Sequence, residues 1–402
     1  MLLGFARQRH RPSSEARAIQ APDLSTRLIA ETARCVRCGL CQPHCPTYAL
    51  DRSEAQSPRG RITLARALAL GKLDAADDSA ALALDHCLAC RRCEAVCPAG
   101  VAYDELLVDA RTLLRRQRPP RSSQRWLERA VAWRWPLTLA WPALHALRRL
   151  LPEGRRAVLP RTAPVAGGWH RAQAVARGRL VLFTGCVSRG LDAAAQHATL
   201  RVLTRLGWDV WTDAAGHCCG ALHRHAGDAA TADRLGVGTR QSMPECDAVL
   251  VTASGCHADL RRTLRDGSAP VHELTTFLAA DSALAGLPLR PGAGRVFVHT
   301  PCTQSSAVGQ PDAARRLLAR IDGLRLDILP DHGCCGAAGS HMLSFPDRAQ
   351  ALRQRHLGNL QAAPGDILCS PNIGCRLHLA RAPQLATARL AHPVEILAEH
   401  LP

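Results

Sequence analysis

A chain of 402 residues with 47% hydrophobic and 21% charged residues has the balance of a folded protein of two or three domains, which excludes wholesale disorder. Aromatic residues are only 3%, so the core must be aliphatic. The formal charge of +17 rests on 51 basic residues, of which Lys72 is the one lysine, and so diffuse an arginine excess, without a basic tract, argues against nucleic acid as a partner.

At the N-terminus a short apolar stretch, Leu2 to Ala6, is followed at once by Arg7, Arg9 and Arg11. This is not the long apolar core of a secretory signal. No window of 18 uncharged apolar residues occurs, so no transmembrane helix is expected and the predicted location is cytoplasmic. In a reducing compartment, eighteen clustered cysteines read as metal ligands and not as crosslinks.

The first cluster is Cys35, Cys38, Cys41 and Cys45 followed by Pro46; the second is Cys87, Cys90, Cys93 and Cys97 followed by Pro98. Both fit C-x2-C-x2-C-x3-C-P, the bacterial ferredoxin spacing for [4Fe–4S] cubanes, in which the fourth thiolate ligates the other cluster. The expected sets are therefore Cys35, Cys38, Cys41 and Cys97 for one cluster, and Cys87, Cys90, Cys93 and Cys45 for the other. Zinc sites use two separated pairs of ligands more often than four closely spaced thiols. Between the motifs, Ser57 as cap, Pro58 at the first turn and Gly71 at the end predict a helix, so this domain, residues 1–116, is mainly helical. Arg59 and Arg61 on that helix are candidates to offset cluster charge.

Residues 117–170 form a connector that opens on Pro119-Pro120 and carries Trp126, Trp133, Trp135 and Trp141 among arginines. Tryptophan with arginine is typical of a membrane interface, so docking on the cytoplasmic face of the inner membrane is one expectation, and packing on the C-terminal domains or on a partner subunit is the other.

The remainder repeats itself. Residues 178–186 match 294–302 at an offset of 116, and Cys218-Cys219-Gly220 matches Cys334-Cys335-Gly336 at the same offset. Ser254-Gly255-Cys256 matches the Asn372–Cys375 stretch at 119. This predicts a duplicated domain, 171–287 and 288–402. Strands are expected at 180–184, near 210 and at 248–252, with helices over 192–206 and 229–241. In the second copy the strands are 296–299, 325–329 and 366–370, with helices over 312–321 and 346–360. Alternating strands and helices imply parallel sheets, whose ligands gather beyond the carboxyl ends of the strands. The predicted fold class is thus α+α/β, a helical two-cluster ferredoxin domain followed by two tandem α/β domains. Adjacent cysteines make strained disulfides, so each copy reads as a four-thiol set: Cys186, Cys218, Cys219 and Cys256, then Cys302, Cys334, Cys335 and Cys375. Cys246 and Cys369 remain as packing thiols, and Cys369 is also a candidate alternative ligand. His217, His332 and His341, beside the CC pairs, are candidates to donate to cluster sulfurs or to carry protons.

With these residues in view, the chain resembles the iron–sulfur subunits of glycolate oxidase over nearly all its length. The likeness is carried by the stretch from Cys35 to Cys41 with Cys45-Pro46-Thr47-Tyr48, by Ser57-Pro58-Arg59-Gly60-Arg61, by Cys87 to Pro98, by Cys334 to Ser340 and by Asn372 to Cys375. The C-terminal halves look like the cysteine-rich CCG domains shared with heterodisulfide reductases and anaerobic glycerol-3-phosphate dehydrogenase. The trailing C-x2-C of that motif is incomplete here, with Ala253 and Asn372 at the first cysteine, a reduced pattern that the glycolate oxidase type shares. The resemblance implies two [4Fe–4S] clusters, with an additional cluster or metal in the CCG domains as an open expectation. It also implies FAD-containing subunits as partners and electron delivery to a membrane acceptor such as quinone. The sequence fits a subunit without substrate chemistry of its own, since it has no G-x-G-x-x-G after a strand, no Walker motif and no G-x-S-x-G elbow. Alternatives left open are an electron-transfer subunit for another flavoprotein, acting on glycerol-3-phosphate or lactate, and a heterodisulfide-reductase-like enzyme acting at the CCG cysteines.

Overall fold

Helix α1 (Leu24–Ala33) starts where the Asp23 carboxylate accepts the Ser25 N–H. After the first cysteine loop come α2 (Pro46–Asp51) and α3 (Pro58–Ala69), the latter the helix expected from Ser57, whose hydroxyl accepts the Gly60 N–H at 3.0 Å. Then follow α4 (Asp78–Asp85), the short α5 (Arg92–Ala95) inside the second cysteine loop, and α6 (Tyr103–Gln117). Helix α6 carries Asp104 and Glu105 in its first turn and Arg115 and Arg116 in its last, which complements its dipole. Leu28, Ile62, Ala65, Leu84, Leu106 and Leu107 close an aliphatic core under both cysteine loops. The structure, a computed structural model, describes residues 23–73, 78–132, 140, 141, 143, 145–147, 162–265 and 269–402.

In the first repeat, strands β2 (Gly178–Phe183), β3 (Trp208–Thr212), β4 (Ala248–Val251) and β5 (Val271–Glu273) are parallel, and β1 (Gly168–His170) adds an antiparallel edge, in the order β1-β3-β2-β4-β5. In the second, β6 (Arg295–Val298), β7 (Arg325–Ile328), β8 (Ile367–Cys369) and β9 (Arg389–Ala391) are all parallel in the order β7-β6-β8-β9. The four parallel strands thus follow one order in both repeats. The three-residue strands β1, β5 and β9 were not expected, because so short a run carries no readable alternation. The helix predicted over 346–360 stops at Leu357, where Gly358 turns to a φ of +54°.

The two repeats pack face to face about an approximate twofold. Helix α7 (Ala193–Arg205) of the first lies on α8 (Pro393–Glu399), the last helix of the second, and Leu274–Ala280 of the first lies on Ala313–Leu318 of the second. One apolar core, with Leu203, Leu206, Leu278, Leu317, Leu318 and Leu397, runs through both. Charge crosses the same seam, where buried Arg376 reaches Asp192 at 2.6 Å and Glu395 at 3.3 Å.

The helical domain sits against both repeats. Arg111 on α6 donates to the carbonyls of Leu84 (2.8 Å) and Cys87 (2.7 Å) and, across the junction, to that of His225 (2.6 Å). Arg348 pairs with Asp51 at 2.5 Å. Much of the connector lies outside the described residues, Trp133 and Trp135 among them. Of its described tryptophans, Trp126 is 70% exposed, whereas Trp141 is buried against Gly190 of the first repeat. Among the described residues no helix is long and apolar enough to cross a membrane.

Candidate metal centres

The two ferredoxin-like loops bend in the same places. Arg37 (φ +58°) and Ala89 (φ +49°) precede the second cysteine of each motif, and Gly39 (φ +84°) and Arg91 (φ +59°) follow it. Left-handed backbone at a residue with a Cβ is costly, and its recurrence at matching positions means the loop geometry is imposed by what it must surround. One cavity is lined by Cys35, Cys38, Cys41 and Cys97, and a second by Cys45, Cys87, Cys90 and Cys93. Cys93, Pro58 and Tyr103 wall both. The second cavity therefore draws three thiols from its own loop and Cys45 from the other, and the first draws three from its own loop with Cys97 and the shared Cys93 from the other, donor sets suited to thiolate-held clusters.

Arg61 is 1% exposed and points at the second cavity. Its guanidinium donates to the carbonyls of Ala83 (2.6 Å) and Gln56 (2.8 Å) and lies 3.9 Å from Cys45 Sγ. Burial opposes its charge, but Cys87, Tyr103 and Cys45 hold its pKa above the ordinary arginine value. Arg59 sits at the first loop instead, paired with Glu54 at 2.7 Å and donating to the Arg37 carbonyl.

In the first repeat the four free thiols are strung together by hydrogen bonds, Cys186 with Cys218, Cys218 with Cys219 and Cys219 with Cys256. Hydrogen bonds from Cys186 and Cys219 hold the Cys218 thiol well below the usual range, and the Gly220 N–H adds a further donor at 3.4 Å. The second repeat keeps the order, Cys302, Cys334, Cys335 and Cys375, with the Gly336 N–H on Cys334 Sγ at 3.5 Å. A hydrogen bond to Cys334, with burial, pushes the Cys302 thiol up. The hydrogen bond from the preceding thiol lowers Cys334, Cys335 and Cys375, but the next thiol in the row, for Cys334 and Cys335, and burial leave all three raised. The second set meets the helical domain: Cys90 and Leu88 pack with Cys302 and Cys334, and Pro46 closes on Gly333.

Cys369 is fully buried in the core between the repeats, and Cys246 is half-buried beside the first sheet. His217 pairs with Asp213, and His341 faces the Gly336 carbonyl at 3.3 Å. His332 stacks edge-on near His356, with ring centroids 6.4 Å apart. Sequence reasoning passed over His299, which the structure places beside Cys335 and Cys375. Its signal lay in the repeat itself, because the 116-residue offset sets His299 against Phe183.

Comparison with known proteins agrees with this layout. The model of the 4Fe-4S dicluster domain matches residues 31–101, and that of the cysteine-rich domain matches 180–261 and again 296–380. The glycolate oxidase iron-sulfur subunit of Escherichia coli (strain K12) is 31% identical over 388 residues, covering 91% of this chain and 93% of the relative. A probable glycolate oxidase iron-sulfur subunit of Bacillus subtilis (strain 168) is 27% identical, over 92% and 94%. One of the subunits of a dihydromethanophenazine:CoB–CoM heterodisulfide reductase of Methanosarcina barkeri is 25% identical, over 90% and 92%. Two cysteine loops around paired cavities, a doubled cysteine-rich domain and similarity along nine-tenths of the chain make this an iron–sulfur subunit of the oxidoreductase class, and the chain belongs to the family of glycolate oxidase iron-sulfur subunits.

Proposed function

We propose that this chain carries electrons from FAD-containing subunits that oxidise glycolate to glyoxylate toward a membrane acceptor such as quinone. Cys35, Cys38, Cys41 and Cys97 would hold one [4Fe–4S] cluster, and Cys87, Cys90, Cys93 and Cys45 the other, the clusters supplying one-electron transfer when bound. The observation that carries this reading is the pair of adjoining cavities, each lined by thiols from both loops and sharing the wall made by Cys93, Pro58 and Tyr103. The protein's own part is to fix the loops in left-handed turns, to bury Arg61 beside Cys45 and to bring Cys90 against Cys302 and Cys334. This contact gives the helical domain a route into the second repeat. The thiol sets Cys186, Cys218, Cys219, Cys256 and Cys302, Cys334, Cys335, Cys375 are candidates for further metal. Exposed Trp126 supports peripheral docking at the cytoplasmic face of the membrane, and buried Trp141 supports packing of the connector on the first repeat.

The test is anaerobic purification with iron and sulfide analysis, followed by capture of partner subunits. About eight irons held by the N-terminal thiols, reducible by glycolate once a flavin subunit is bound, is the expected result. A colourless protein that still supports glycolate-dependent quinone reduction in its complex refutes the reading. Reduction by lactate or glycerol-3-phosphate in place of glycolate would reassign the partner and leave the clusters standing.

A further inference from the structure

Among the described residues, the donor atoms of His299, Cys335 and Cys375 form the one group of three or more His, Cys, Asp or Glu ligands lying within 4.8 Å of one another, and all three residues are buried. Their positions are set independently. His299 follows β6 directly, Cys335 belongs to the CC loop, and Cys375 rides the helix Ile373–Leu379, where its N–H caps onto the Asn372 side chain at 3.3 Å.

The imidazole is already oriented. Its Nδ1 shares a hydrogen bond of 2.9 Å with Ser370 Oγ, while Nε2, fully buried, has no hydrogen-bond partner. A polar atom buried without a partner is costly, and a metal-binding histidine has this arrangement, one nitrogen fixed by an outer hydrogen bond and the other free. The first repeat supplies no such nitrogen, because Phe183 stands at the position equivalent to His299.

The spacing also selects the kind of metal. Ligands of one tetrahedral ion bonded at about 2.0–2.3 Å lie within about 4 Å of each other, so a spread of 4.8 Å needs only small side-chain adjustments. A four-iron cluster would have to stand between the donors and would force them further apart. The eight N-terminal cysteines, which line open cavities, form no comparably tight group.

We propose that the second repeat binds a single zinc-class divalent ion through His299 Nε2 and the thiolates of Cys335 and Cys375, a site that the first repeat lacks. Binding releases the two thiol protons, and Cys334, hydrogen-bonded to Cys335, is the nearest candidate for a fourth ligand. An ion without redox chemistry would lock the strand end, the CC loop and the helix together while leaving Cys302 to face Cys90. This assignment extends the four-thiol reading of the second repeat and is independent of the two N-terminal clusters.

The experiment counts zinc and iron on the full chain purified without oxygen and reads the zinc ligands by zinc-edge X-ray absorption. About one zinc per chain is expected, with nitrogen at about 2.0–2.1 Å and sulfur at about 2.3 Å. His299→Phe, which copies the first repeat, and Cys375→Ser should each lower bound zinc about tenfold, with iron content and the reduced-cluster EPR signal unchanged. Full zinc in His299→Phe, or a shell of sulfur alone in the wild type, overturns the proposal. So does a wild type that neither carries zinc nor takes it up from an equimolar supply, or one with extra iron in place of zinc. If a variant fails to fold, the absorption measurement on the unaltered chain still decides. Loss of iron from the N-terminal thiols would count against the electron-transfer reading and leave the zinc result intact.

Discussion

Nη1 of Arg92, one residue before Cys93, donates to both carboxylate oxygens of Asp331, at 2.9 and 2.7 Å. The pair joins the second cysteine loop to the second repeat where Cys90 meets Cys302 and Cys334. Although burial works against its charge, the hydrogen bonds from Arg92 and from the Gly333 N–H hold Asp331 below the ordinary carboxylate range. A depressed folded pKa means that its stabilisation is present above the unfolded carboxylate value and disappears as pH falls through the folded one. About half of the Asp331 side chain faces solvent, so Asp331→Ala should cost only about 0.5–1 kcal/mol at neutral pH. Urea unfolding should show that difference constant from pH 8 to 6, declining once the pH passes the unfolded carboxylate value of about 4 and gone only below the still lower folded one. A difference that grows in acid contradicts the assignment.

Arg61 invites a sharper test. Arg61→Met removes the donor to the Ala83 and Gln56 carbonyls and the cation beside Cys45. The loss of those buried hydrogen bonds should destabilise the helical domain by about 3 kcal/mol. Removing a positive charge also disfavours the more negative, reduced state. In EPR-monitored titration the cluster proposed at Cys87, Cys90, Cys93 and Cys45 should therefore move to lower potential, with the other cluster shifted less. Equal shifts in both would place Arg61 between the two sites.

The proposed exchange of the fourth ligand between the motifs can be read by iron loss. Cys97→Ala should leave about four of about eight irons, with the EPR signal of the set containing Cys45 retained. If the retained signal instead belongs to the set containing Cys35, each loop closes its own cluster.

Gly220 and Gly336 follow the two CC pairs with φ of +83° and +96°, and an added Cβ at either would stand 2.7 Å from a helix carbonyl, that of Ala232 or Ala349. Gly336→Ala should cost about 2 kcal/mol or more through strain and the clash. Its thermal midpoint should drop while the N-terminal clusters keep their iron.

Two tryptophans separate the two roles of the connector. Trp141→Ala empties a site packed on Gly190 and should lower stability by about 3 kcal/mol. Trp126→Ala, at an exposed position, should leave stability unchanged and reduce co-sedimentation with anionic liposomes. Unaltered sedimentation removes Trp126 from any membrane contact.

Cysteine spacing made the clusters legible, because three thiols two residues apart can surround a cluster only by wrapping the local chain. The repeat was legible for a similar reason, since strand ends and CC pairs recur at one offset. The helix capped by Ser57 and the strands over Gly178–Phe183 and Arg295–Val298 followed from short-range signals that need no distant partner. What the linear order could not contain were contacts between residues far apart in it. The approximate twofold that sets Ser254 against Asn372 (3.2 Å), the burial of Arg61 under Cys45, the approach of Cys90 to Cys334 and the aim of His299 at Cys335 and Cys375 are all of this kind. Local chemistry chooses which donors a chain offers, but burial and distance arise only once separate segments share one core, and those two quantities decide which donors can meet.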